Sequence, residues 1–233
     1  MHPDPSSFIT LTYDDAHCPT SLNYKHFQVF MRGLRRKLGA TRFFACGEYG
    51  EQTQRPHFHA LLFGRTFPDP VLQGTDLFTS QILSKLWPHG FSSFGNCTYQ
   101  SAAYVAGYSL KKVSGPNADS HYLAIDWRTG ELVERTPEFG RMSLKPGIGY
   151  TWFQKYWPEV YLARDGCVLK GGKMIPAPRY YDKLLQDLDF DLADSKSFER
   201  YTKAAAFADD NTRERLAVRE TCAKARVSQR LKI

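Results

Sequence analysis

Two histidines, His57 and His59, stand one residue apart in the apolar run HFHALLF. Side chains at i and i+2 of a strand share a face, so a strand here aims both imidazoles at one point. Neutral imidazole is a good nitrogen ligand for a divalent cation, and a strand fixes the bite between two such donors. Taken alone, the pair is also read as one exposed and one hydrogen-bonded histidine on an apolar strand. Glu48 adds context, because it ends the preceding strand and an antiparallel hairpin brings its carboxylate alongside the imidazoles. A His, His, Glu set accommodates Mg²⁺ or Mn²⁺ and leaves positions open for a phosphate oxygen and water. A second group lies in SAAYVAGYSLKK, where Tyr104, Tyr108 and Lys111 follow at intervals of four and three. On a helix these share a face, presenting two phenols and an ammonium together. A phenol of pKa near 10 is a poor nucleophile at neutral pH, so a neighbouring cation matters to its chemistry. Aromatics four apart also serve as core packing, against which Lys111 argues for at least a partly open face.

Around these groups, Ser7 to Tyr13 is β-branched and aromatic and reads as a central strand ending at Asp14-Asp15. Phe27, Phe30, Met31, Leu34 and Leu38 fall at helical spacing between Asn23 and Leu38, with Gly39 as a stop and Arg32, Arg35, Arg36 and Lys37 on the outer face. Thr41 to Glu48 and His57 to Phe63 read as paired strands, Ser80 to Trp87 as a short helix, and Phe91 to Tyr99 as a further strand. Ser101 is an N-cap candidate for a helix reaching Lys112. This order suits an α+β fold, an antiparallel sheet with helices on one face. Farther on, HYLAIDW and LVERT read as a hairpin, while GRMSLKPGIGY and VLKGGKMIPAPRYY are turn-rich. The expected organisation is a core over 1–113, a hairpin- and loop-rich extension over 114–194 packed on that core, and a basic helical tail over 195–233.

With 42% hydrophobic and 14% aromatic residues in 233, the chain can bury a sizeable core. No run is long and apolar enough for a membrane helix, and the N-terminus lacks the layout of a secretory signal, so a cytoplasmic home is expected. The five cysteines, Cys18, Cys46, Cys97, Cys167 and Cys222, form no CxxC pair and read as reduced packing residues. A net charge of +7 makes a polyanionic partner plausible without requiring one. Seven bases face two acids between Arg213 and Lys232, which suits either a solvated helix or DNA contact.

Together, FITLTYDD, CGEYGEQTQRPHFHALLFG and SAAYVAGYSLKK resemble the replication initiators of microviruses, small single-stranded DNA phages, and especially the gokushovirus branch. GRMSLKPGIGYTWF and PAPRYYDKL extend the likeness to roughly residues 7 to 185. The resemblance implies a HUH endonuclease: a central five-stranded antiparallel sheet with flanking helices, a partly irregular C-terminal extension, and Mg²⁺ or Mn²⁺ on His57 and His59. It also implies Tyr104 and Tyr108 acting in turn, Lys111 as the lysine after the second tyrosine, and Glu48, by analogy with related nickases, as third ligand. Such an enzyme starts rolling-circle replication in the host cytoplasm by nicking origin-containing single-stranded DNA through a 5′-phosphotyrosine intermediate, later rejoins the strand, and relies on host helicase and DNA polymerase. Arg55, Lys112, Arg213 and Arg219 are candidates for DNA contact. The family usually carries a cysteine-containing segment upstream of the first strand, where this sequence has six residues before Ser7. Rival readings are a relaxase or transposase of the same chemistry, and a non-catalytic basic nucleic-acid-binding domain in which Tyr104 stacks on a base.

Overall fold

A computed structural model describes residues 5–108, 111–169 and 171–230, for Arg230 the backbone only. The chain divides into two compact units after Ile148. The N-terminal unit is built on an antiparallel sheet. In chain order it comprises β1 (Ser7–Tyr13), α1 (Tyr24–Leu38), β2 (Arg42–Tyr49), β3 (Pro56–Phe63), β4 (Val71–Gln73), β5 (Leu77–Thr79), α2 (Gln81–Leu86), β6 (Gly90–Asn96), α3 (Tyr99–Tyr108), α4 (Ala118–His121), β7 (Leu123–Ile125), β8 (Leu132–Glu134) and β9 (Phe139–Met142). The main sheet runs β4-β5-β6-β1-β3-β2-β9, and β7 pairs with β8 as a separate hairpin.

The α+β class is as expected, but the sheet has seven strands rather than five. The surplus comes from short segments: β4, β5 and β9 have three, three and four residues, too few to show alternation in sequence. β9 lies in the segment read as an irregular loop, and it is a strand because it pairs Phe44 to Gly47 with Phe139 to Met142.

β1 alternates strictly between buried and half-buried positions. Ile9, Leu11 and Tyr13 turn to one face, where Phe27, Phe30, Met31 and Leu34 of α1 and Leu83 of α2 pack with Phe58 and Trp87. The α1 stripe is capped by Asn23, whose side chain accepts from Lys25 N, and ends where Gly39 takes φ 90°. Helices do not all lie on that face, contrary to the sequence reading. α3 covers the other one, with Val105 and Tyr108 on Cys46 and Leu61, because its apolar residues match that second, smaller cluster. α3 is also displaced: it starts at Tyr99, with Thr98 and Ser101 exchanging side-chain to backbone hydrogen bonds of 3.1 and 2.8 Å, and its helical span ends at Tyr108. Ser101 therefore sits inside the first turn, and Thr98 supplies the cap.

The C-terminal unit contains α5 (Tyr150–Pro158), a π-helical turn (Glu159–Arg164), the hairpin β10 (Cys167–Val168) and β11 (Met174–Ile175), α6 (Arg179–Leu188), α7 (Phe190–Ala205), a short 3₁₀ turn and α8 (Arg213–Arg230). Its core is Phe153, Val160, Tyr161, Tyr181 and Leu185. Arg200 ties it together, meeting Asp165 at 2.7 Å and Asp182 at 3.0 Å. Cys222 on α8 is exposed, so the packing role expected of the cysteines does not hold there. No described helix is long and apolar enough to cross a membrane.

Candidate active site

The β2-β3 ladder sets the site. Glu48 lies opposite His57 and Cys46 opposite His59, so Glu48 and both histidines converge on one sheet face. Phe58, between the histidines, goes into the core on the other face. His57 Nδ1 is 3.1 Å from the Arg55 carbonyl, an acceptor only, so that nitrogen carries a proton and Nε2 faces Glu48 Oε1 at 2.7 Å. His59 is held likewise, with Nδ1 3.0 Å from Thr10 Oγ1 and Nε2 3.2 Å from the same carboxylate oxygen. One donor atom from each of the three residues lies within 4.8 Å of the other two. Outer hydrogen bonds that fix ring and tautomer while the inner nitrogens meet a carboxylate are the arrangement a divalent ion needs, so the residues present fit such an ion.

Burial makes the cluster electrostatically tense. Glu48 is 2% exposed and His59 6%. Burial pushes the Glu48 carboxyl up, but hydrogen bonds and charge from His57 and His59 outweigh it and hold the group at about 2. His59 is shifted down, chiefly by burial, which favours the neutral, ligating form. Lys111 Nζ stands 3.3 Å from Glu48 Oε2 and 3.1 Å from Glu51. Burial works against its charge, yet the two carboxylates prevail and raise its pKa.

α3 brings the phenols to this cluster. The Tyr108 ring lies parallel to His59, centroids 5.0 Å apart, and Tyr104 meets Tyr108 edge-on at 4.6 Å. Phe8 stacks on His59 at 5.6 Å. Lys111 Nζ sits 4.5 Å from the Tyr108 ring centre. It reaches this place although it lies past the described end of α3, so the shared helical face expected for Tyr104, Tyr108 and Lys111 applies only to the tyrosines. The two phenols are unequal: Tyr104 is 43% exposed and Tyr108 5%. Burial first, then a hydrogen bond with Tyr104 and the charge of Glu48, raise the Tyr108 pKa far above the usual phenol value.

Glu48, His57, His59, Tyr104, Tyr108 and Lys111 are therefore together. Lys112 is exposed nearby in sequence. Arg55 is engaged by the protein itself, donating to the Tyr13 carbonyl at 2.8 Å and pairing with Asp15. Arg213 and Arg219 lie on α8 of the other unit, where Arg219 meets Asn211 and Asp210. Thr10, Phe8 and Glu51 escaped the sequence reading. Thr10 and Phe8 alternate correctly for this face, but only the β1-β3 register, Thr10 opposite His59, brings them to it.

Residues 6–113 match the family described as Replication-associated protein ORF2. The chain is 34% identical over 194 residues to the Replication-associated protein VP4 of Bdellovibrio phage phiMH2K, covering 76% of this chain and 57% of that one. It is 30% identical over 206 residues to the Replication-associated protein ORF2 of Spiroplasma virus 4, covering 79% and 59%. With the Replication-associated protein ORF4 of Chlamydia phage 1 the identity is 29% over 201 residues, covering 79% and 47%. The chain thus spans about half the length of these relatives. No solved structure matches.

Proposed function

Because the chain belongs with the microvirus-like replication-associated proteins, by its family match and by its relatives, we propose that it initiates rolling-circle replication by nicking single-stranded DNA through a tyrosine. The observation that carries this reading is the convergence of two phenols and an ammonium on the Glu48, His57, His59 cluster. Glu48, His57 and His59 would hold Mg²⁺ or Mn²⁺, which when bound offsets negative charge on a phosphate.

In the proposed reaction a tyrosine oxygen attacks the scissile phosphorus in line, and the phosphorus to O3′ bond breaks. The phenol gives up its proton, the departing 3′ oxygen gains one, and the 5′ phosphate stays on tyrosine as a diester. Because no phosphoester is lost to water, the same linkage can be reversed by a 3′-hydroxyl, closing a circle without ATP. Tyr104 is the exposed phenol and the one placed to begin; Tyr108 would act in the second transfer, with Lys111 beside its ring to stabilise a phenolate. Origin DNA, host helicase and polymerase as partners, and the host cytoplasm as location, follow from this reading.

The test is incubation with labelled single-stranded oligonucleotides and Mn²⁺, followed by a denaturing gel. A protein-DNA band is expected for the wild type, and none for His57→Ala/His59→Ala or Tyr104→Phe/Tyr108→Phe. DNA binding with no covalent band under any divalent ion would leave a nucleic-acid-binding domain and discard the nickase.

A further inference from the structure

At the opposite end of the β2-β3 ladder lies a cavity of about 660 Å³ whose charged lining is wholly cationic: Arg35, Arg42, Arg65 and Lys145. Among the described residues, none of the four has a carboxylate within ion-pairing distance. The protein uses their donors only against carbonyls. Arg35 Nε and Nη2 hold Thr41 O at 3.2 and 3.1 Å, Arg65 Nη2 holds Ala40 O at 3.1 Å, and Arg42 reaches the Ser143 and Pro146 carbonyls. These contacts orient the guanidinium groups and leave their charge uncompensated. Arg65 Nε is buried with no acceptor among the described residues.

The cavity is in line with the candidate active site. Arg42 and Glu48 are six residues apart on β2, an even interval, so they belong to the same sheet face. Phe63, opposite Arg42, shares that face with His57 and His59. Six residues of strand rise roughly 20 Å, the length of about six phosphates at the B-form spacing per strand. Four preoriented cations with no acid among them match a phosphodiester backbone, in which guanidinium pairs bidentately with phosphate oxygens.

We propose that this cavity binds the phosphate backbone of the DNA strand whose scissile phosphate occupies the histidine cluster, making a second, distal anchor at the other end of one sheet face. The inference rests on the nickase reading only for the identity of the strand. Binding of oligothymidylates of increasing length, read by fluorescence anisotropy over a salt series, tests it. Wild-type affinity is expected to step up once the oligomer exceeds the roughly six nucleotides needed to span both sites. In Arg42→Gln/Lys145→Glu that step should vanish and the salt slope should fall by about 1.4, two single-strand phosphate contacts at about 0.7 each. Gln keeps a donor for the Ser143 carbonyl. Lys145→Glu alone, whose parent side chain is exposed and makes no hydrogen bond among the described residues, guards against misfolding and should weaken long oligomers more than short ones. An unchanged length step and slope in both variants overturn the distal anchor. Loss of the covalent band in the wild type with the length step intact overturns the nickase and leaves the anchor.

Discussion

Tyr104 and Tyr108 differ by one helical turn and by nearly everything else that governs a nucleophile. The exposed Tyr104 can meet DNA without rearrangement, whereas Tyr108 is packed on His59 with its proton held by burial and by the charge of Glu48. Tyr104→Phe is therefore expected to slow first adduct formation roughly tenfold or more, about 1.4 kcal/mol of barrier, with a smaller effect for Tyr108→Phe. Quench-flow with labelled oligonucleotide checks the order, and equal loss in both would contradict it. The sign of the pH effect follows from the raised pKa. A phenol that stays protonated gains reactivity as pH rises, so the residual adduct of Tyr104→Phe, made through Tyr108, should still be increasing at pH about 10. At the histidine cluster, binding of Mn²⁺ to the folded state alone should raise Tm with ion concentration. Removing the ion with chelator, or substituting His57→Ala/His59→Ala, should abolish that dependence. The i and i+2 geometry of the histidines was legible in the sequence because strand periodicity is local. The inequality of the tyrosines was not, since burial of Tyr108 depends on which sheet face α3 covers.

Among elements, β1 and its two neighbours decide whether the site exists. Gly90, paired with Tyr13 at the start of β6, has φ +147°, and an added Cβ would approach Thr12 O to 2.6 Å. Gly90→Ala is expected to cost at least about 2 kcal/mol through backbone strain and overlap, measurable as a lower midpoint in urea, and a shift under about 0.5 kcal/mol would contradict this account. Tyr122 performs a comparable task near the end of α3. Its hydroxyl donates to the buried Glu138 at 2.6 Å and accepts from Val113 N at 2.9 Å. Tyr122→Phe leaves that carboxylate short of a donor, and about 1–3 kcal/mol of stability should be lost in the same urea titration. β1, β2, β3 and α1 were read to within about a residue from periodicity and caps. β4, β5 and β9 were not, because three or four residues carry no period and are strands only through their partners.

For the whole molecule, charge and division into units set the expectations. The basic tail is less free than its composition implies: Arg215 and Arg219 face Asp210, and Lys224 meets Glu220 at 2.5 Å. Exposed pairs of this kind contribute little energy and break readily for a polyanion. Deleting residues 213–233 should therefore still flatten the dependence of log affinity on log salt, by about 0.7 for every phosphate that α8 neutralises in the intact chain, while the Mn²⁺-dependent rise in Tm persists. An unchanged slope would make α8 a solvated helix only.

What the sequence determined by itself was local chemistry: which residues can ligate, which can attack, which periods make a strand or a helix, and the family those motifs resemble. It could place His57 and His59 on one face because their separation is two residues along one strand. Tertiary structure decided the rest. It set Thr10 and Phe8 against His59 across a register, carried Lys111 to Glu48 from beyond the described end of α3, and tied Arg55 to Asp15. It also left Arg35, Arg42, Arg65 and Lys145 around one cavity, though Arg35 and Lys145 are far apart in the chain. The physical reason is range. Periodicity acts over a few residues, whereas burial, charge compensation and strand register belong to pairs that only the folded sheet brings together.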